Sequence, residues 1–135
     1  MTVNPIEPAV LAAKTLVFWH EDESLPRAEK PRISTIQPGS VPILERGTAQ
    51  APTAYVYTSL QTARREAKAR ALAYVGLHVC GTVLESLSAC EWLDDAGVSW
   101  IAIDHRLGKP LLALTVESLH AALLDRLDDG TAGRG

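Results

Sequence analysis

Residues 77–105, LHVCGTVLESLSACEWLDDAGVSWIAIDH, decide the fold. A short apolar run, Leu77 to Cys80, meets Gly81 and Thr82. Thr82 and Glu85 have the Thr-x-x-Glu spacing of a capping box, in which hydroxyl and carboxylate each satisfy a backbone N–H left open at the start of a helix. Gly97 stops that helix, because glycine takes up the left-handed conformation of a helix C-terminus without steric cost. Val98 to Ile103 follows as a β-branched and aromatic run, of strand length and too short for a helix. The stretch therefore reads strand, helix, strand. Two strands joined by a helix are expected to be parallel, since a parallel pair needs a crossover of about a dozen residues.

Upstream, Ala54 to Thr58 (AYVYT) is a strand by its aromatic and β-branched content, and Ser59 caps a helix expected to run to Val75. At the helical period, Leu60, Ala63, Ala67, Ala71 and Tyr74 share an arc of roughly 80°. This alanine-rich stripe suits close packing on a sheet. Arg64, Arg65 and Lys68 occupy an adjacent arc, whereas Glu66 and Arg70 point elsewhere; Gly76 is the expected stop. Downstream, Arg106-Leu107-Gly108-Lys109 has the length and glycine position of a hairpin turn, so Leu111 to Thr115 is expected antiparallel to the strand before it. Thr115 caps a last helix, Val116 to about Asp128, with Val116, Leu119, Leu123 and Leu127 on one face. Near the start, Pro8 suits the first turn of a short helix, Pro8 to Lys14. Leu16 to Trp19 is then a strand, ending in His20-Glu21-Asp22-Glu23.

Between Glu21 and Pro52, five prolines (Pro26, Pro31, Pro38, Pro42, Pro52) exclude a long helix. Arg32 to Ile36 and Val41 to Glu45 flank Gln37-Pro38-Gly39-Ser40, where proline at the second place and glycine at the third suit a type II turn. A hairpin is expected, with Pro42 placing its second strand at an edge or a bulge. A segment this long and this poor in regular structure is usually a binding loop, a lid or a disordered arm. The expected architecture is an α/β domain over 1–128, of two or three layers. It has a mostly parallel central sheet with one antiparallel strand near the C-terminus and the 21–52 hairpin arm within it. Residues 1–7 read as a loose terminus and 129–135 as a disordered tail. The closing hairpin and helix resemble the C-terminal half of a thioredoxin-like domain. The chain departs from that pattern where its chemistry resides: no Cys-x-x-Cys follows AYVYT and no proline precedes Val98.

At 135 residues, 47% hydrophobic and 21% charged, the chain has enough apolar content for a core of its own. A net charge of -3 argues against a general nucleic-acid binder, which needs a basic excess to neutralise phosphates. Cys80 and Cys90 stand ten apart, the spacing of neither a redox pair nor half a zinc site, and are expected to be reduced. No secretory signal and no apolar run of about 18 residues is read, so a cytoplasmic location is expected. Arginine outnumbers lysine and alanine is abundant, a hint of a GC-rich bacterial genome.

In an open parallel sheet, ligands bind beyond the carboxyl ends of the strands. Those ends carry Thr58-Ser59, Cys80-Gly81-Thr82 and Asp104-His105 and, should the Leu16 strand run the same way, His20 to Glu23. Carboxylates gathered there suit Mg2+ or Mn2+, which take oxygen ligands and activate water for attack on phosphorus. One expectation is thus a metal-dependent phosphoesterase or nuclease. Asp22 and Asp104 would be ligands, His105 or His20 the base, and Arg64, Arg65 and Lys68 the phosphate contacts. No Walker loop, Gly-x-Gly-x-x-Gly, Gly-x-Ser-x-Gly or His-Glu-x-x-His supports it. Plainer roles outweigh it. Asp104-His105 suits the polar start of a turn and His20 to Glu23 a solvated loop, while His78 suits a strand position bonded to a neighbour. Cys80 stands beside a helix N-terminus, which lowers a thiol pKa, but free cysteine is more often inert packing.

The favoured expectation is a non-enzymatic interaction module, a small cytoplasmic regulator or inhibitor that binds another macromolecule and needs no cofactor. A protein partner ranks above nucleic acid, a membrane is not expected, and self-association is left open. The binding residues would be Ile33, Ile36, Val41 and Ile43 of the arm, Trp92, and the basic group Arg64, Arg65 and Lys68.

Overall fold

The computed structural model describes residues 7–22, 31–45, 52–72, 74–109 and 111–134, of which 129–134 by backbone alone. The helix starts read at Ser59, Thr82 and Thr115 are each capped by the hydroxyl. Thr82 Oγ1 accepts the Glu85 N–H at 3.1 Å and opens α3 (Val83–Asp95); Ser59 Oγ accepts the Thr62 N–H at 3.2 Å and opens α2 (Leu60–Ala69). Gly97, at φ +79°, ends α3 in the left-handed conformation. The remaining helices are α1 (Pro8–Ala12), with proline in its first turn, and α4 (Val116–Arg134). The strands are β1 (Leu16–Glu21), β2 (Arg32–Ile33), β3 (Val41–Pro42), β4 (Thr53–Tyr57), β5 (Val75–Cys80), β6 (Trp100–Ile103) and β7 (Ala113–Thr115).

All seven strands join one sheet in the order β2-β5-β1-β4-β6-β7, with β3 paired to β1 beside that path. β4 and β6 are parallel, β2 and β5 are parallel, and β7 is antiparallel to β6 as the turn at 106–109 predicts. The expectation of a mostly parallel sheet fails at β1. It lies between β4 and β5 and runs against both, with Leu16 opposite Cys80, Glu21 opposite Val75, and Val17 opposite Tyr57. β4, β5 and β6 keep a common sense because helices connect them, yet β4-α2-β5 leaves a gap one strand wide that the N-terminal strand fills. The sheet is therefore mixed.

Alternation along the strands gives it two covered faces. Leu16, Phe18, Ala54, Val56, Cys80, Ile101 and Ile103 face α1, α3 and α4; Val17, Trp19, Tyr55, Tyr57, Val75, Leu77 and Ala102 face α2. The result is three layers. α2 and α3 lie on opposite faces because their crossovers travel across the sheet in opposite directions, and a right-handed crossover reverses face when it reverses direction.

The arm departs furthest from expectation. Its turn is present, with the Ser40 N–H bonded to Gln37 O at 2.9 Å and Gly39 at φ +90°, as a type II turn requires. No hairpin forms: β2 pairs with β5 and β3 with β1. The two legs straddle the end of the β5-β1 pair. Pro42 is not at a sheet edge either. β1 pairs with β4 only at Val17 and Phe18, and the second leg enters where they diverge, with Pro42 opposite His20 and Leu44 bridging Ala54. α2 stops at Ala69 rather than Val75, because β5 must begin at Val75 to pair with Glu21. Residues 1–6 of the expected loose start at 1–7, and Glu23, lie outside the described residues.

Candidate functional site

Residues 31–45 form an arch over one rim of the sheet, held at several points by side chains from other elements. The first leg is fixed by β2 and by Arg64 of α2, whose Nε donates to Pro31 O at 3.3 Å. Next, His20 Nε2 donates to Ser34 O at 2.7 Å, and the Ser34 hydroxyl bonds the Asp22 carboxylate. Ile36 N–H donates to His78 Nδ1 at 3.1 Å. At the apex, Trp92 of α3 donates its indole N–H to Ser40 O at 2.9 Å. The bonds to Ser34 O and from Ile36 N–H fix the tautomers: His20 carries its proton on Nε2, whereas His78 Nδ1 must be bare to accept.

The second leg ends in a buried polar cluster on the α2 face. Glu45 accepts the Tyr55 hydroxyl at 2.5 Å and stands 3.9 Å from Arg70 Nη1 and 3.5 Å from His105 Nδ1. Arg70 donates to His105 Nδ1 at 2.8 Å and to the Tyr55 hydroxyl at 3.3 Å, and its guanidinium lies 4.9 Å from the Tyr55 ring centroid. Trp19 packs between Tyr55 and Tyr57, with centroids 4.6 and 4.9 Å away. Burial raises both tyrosine pKa values, and the Glu45 hydrogen bond reinforces the effect at Tyr55, so both hydroxyls stay protonated. Glu66 accepts the Leu107 N–H at 2.9 Å and pins the turn at 106–109 to the same face.

The expected binding residues divide into anchors and exposed groups. Ile36 packs into the α3-side core and Ile43 into the α2-side core. Ile33 and Val41 remain 59% and 51% exposed, and Leu44, which bridges Ala54, 40%. Trp92 faces inward onto the arm, its ring edge-on to His20 at 6.4 Å. Arg64 is engaged with Pro31, while Arg65 and Lys68 are exposed along the same open groove on α2.

The expected metal-site residues do not come together. Because β1 is antiparallel to β4 and β5, Asp22 and His20 lie at the rim opposite Asp104 and His105. Asp104, at φ +48°, spends both carboxylate oxygens on Thr58, accepting its N–H and its hydroxyl at 2.7 Å each. His105 is engaged at both nitrogens, by Arg70 and by Lys109 O at 3.2 Å. Among the described residues, no group of three His, Cys, Asp or Glu side chains could hold a metal ion. Cys80 and Cys90 are free and buried, and burial pushes both thiols up to about 12, overriding the helix N-terminus beside Cys80.

Sequence reasoning missed Glu45, Arg70 and Gly76. The helical wheel held a signal for one of them: Arg70, with Glu66 four residues before it, lies off the basic arc and beside the alanine stripe, where charge has to be paired. No protein-family model matches the chain, and no curated protein matches it.

Proposed function

We propose that the chain is a non-enzymatic interaction module, a small cytoplasmic regulator or inhibitor that binds a protein partner through the 31–45 arch. One observation carries this reading: a proline-containing loop, tied down by side chains from β1, β5, α2 and α3, leaves Ile33 and Val41 in solvent. A loop fixed before binding loses little entropy on binding, so its exposed apolar groups contribute more of their burial energy to affinity. Register places Ile33 beside Leu77, and Val41 beside Glu21, on one face of the sheet. Two strands separate them, a span of roughly 14 Å. Glu21 lies exposed next to Val41, so the complementary surface is apolar with a basic side chain. Among the described residues β2 ends the strand order, which leaves its outer side open there to an added strand. Two buried free thiols suit a reducing compartment, and no helix among the described residues is long and apolar enough to cross a membrane.

Deleting the arm is a poor test, because β2 and β3 are parts of the sheet. The double variant I33S/V41S should keep the wild-type unfolding midpoint and lose partners that wild type captures from its host. L84S, which alters an equally exposed leucine on α3, should retain them. Capture of the same partners by all three proteins would refute the arch as the binding surface.

A further inference from the structure

The bond between arm and sheet at His78 has a fixed polarity. Ile36 N–H is the donor and His78 Nδ1 the acceptor, so a second proton on the imidazole turns this bond into two opposed N–H groups. No other contact of the arm among those described depends on a bare histidine nitrogen in this way: His20 donates to Ser34 O, and Trp92 donates to Ser40 O. We propose that His78 is a latch on the arch, so that the docking surface is assembled at neutral pH and released in mild acid. The latch rests on the arch being the docking surface.

The charges around His78 agree with the direction. His20 of β1 stands beside it on the neighbouring strand and disfavours a positive charge on His78, while Glu85 of α3 opposes that effect. Arg32 of β2 lies opposite Gly76, two residues before His78, and Asp22 bonds Ser34 on the arm. Half-burial is the larger influence, and together these hold the His78 pKa below its ordinary 6.5. With the arm open, the imidazole is solvated and titrates near that ordinary value. The open state thus takes up the proton first: closure is fully favoured above about pH 6.5 and is progressively lost as pH falls toward the lowered pKa.

Amide exchange at Ile36, corrected for its intrinsic pH dependence and referenced to Ile101 in β6, reads the latch without any partner. Between about pH 7.5 and about pH 5, wild-type protection at Ile36 should fall, with the loss confined to the range below about pH 6.5. In H78N, whose side-chain oxygen accepts from the Nδ1 position and does not titrate, it should stay level. Unchanged protection in wild type, or an equal drop in H78N, would overturn the latch. A wild-type measurement stands beside this: the His78 15N titration must have its midpoint below the ordinary 6.5, at the acid end of the range over which Ile36 protection is lost, and a midpoint at or above 6.5 also overturns it. Loss of partner capture by I33S/V41S with a flat Ile36 profile would retain the docking surface and remove its regulation.

Discussion

Gly76 illustrates how one side chain, or its absence, sets the geometry of the arch. In the sequence it looks like a helix stop, the commonest use of a glycine between a helical pattern and an apolar run. It lies instead inside β5, opposite His20, and a Cβ at this position would sit 2.6 Å from His20 Nε2 and 3.0 Å from Ser34 Cβ. The missing side chain is the space in which the His20 ring lies, and the ring must lie there to reach Ser34 O. Glycine inside a strand often marks a close approach of this kind. G76A should therefore destabilise the fold by about 1–3 kcal/mol, the usual cost of overfilling a packed site. Because the displaced ring is the one that binds Ser34 O, it should also abolish amide protection around Ser34. A urea midpoint equal to wild type would mean that His20 is free to move aside. Cys80 makes the complementary point: the helix N-terminus beside it was readable from the sequence, but the burial that raises its pKa was not.

At the scale of elements, what the sequence made legible was local. The caps at Ser59 and Thr82, the stop at Gly97, the turn at 37–40 and the hairpin of β6 and β7 each depend on a few neighbouring residues, and each is present. The partners of the arm were not legible, because each leg pairs with a strand far from it in sequence. The polar cluster shows the same limit. Glu45, Tyr55, Arg70 and His105 come from the arm, β4, the end of α2 and the β6-β7 loop, and no spacing rule links them. The Arg70, Glu45 and His105 side chains are only 10%, 15% and 11% exposed, so the cluster is governed by desolvation rather than by surface screening. Arg70→Met keeps most of the aliphatic packing and strands Glu45 without its counter-charge. It should cost about 3 kcal/mol, in the range for removing one partner of a buried pair. The 3.9 Å separation of Arg70 from Glu45 assigns much of that loss to the bonds with His105 and Tyr55. Thermal unfolding measures it, and a loss below about 0.5 kcal/mol would place the cluster among ordinary surface ion pairs.

At the scale of the whole molecule, the order of strands follows from one insertion. A helix of given length fixes that β4 and β5 run in the same sense, but not whether they touch. The crossover through α2 spans one strand spacing or two with little change in loop length, so a pattern of strands and helices is silent on the difference. β1 makes that choice by its composition. Leu16, Val17, Phe18, Trp19 and His20 are all at most 1% exposed, a run apolar on both faces that only a central strand can bury. At about 1.5–3 kcal/mol for each large apolar side chain buried, its four apolar residues contribute on the order of 10 kcal/mol, comparable with the whole net stability of a domain. The three strands that carry the crossovers therefore do not form a stable sheet without it. A chain beginning at residue 31 should show no cooperative unfolding transition and should bind a dye specific for exposed apolar surface. Adding a peptide of residues 7–22 should restore both the transition and the protection of Ile101, because the peptide supplies the missing central strand and its α1 turn. The restored complex should also recover the contact between His20 and Ser34, which needs β1 in its antiparallel register against β5. A truncated chain that unfolds cooperatively by itself would mean that β4 and β5 close directly on each other, and the arch would then have lost the strand end on which it rests.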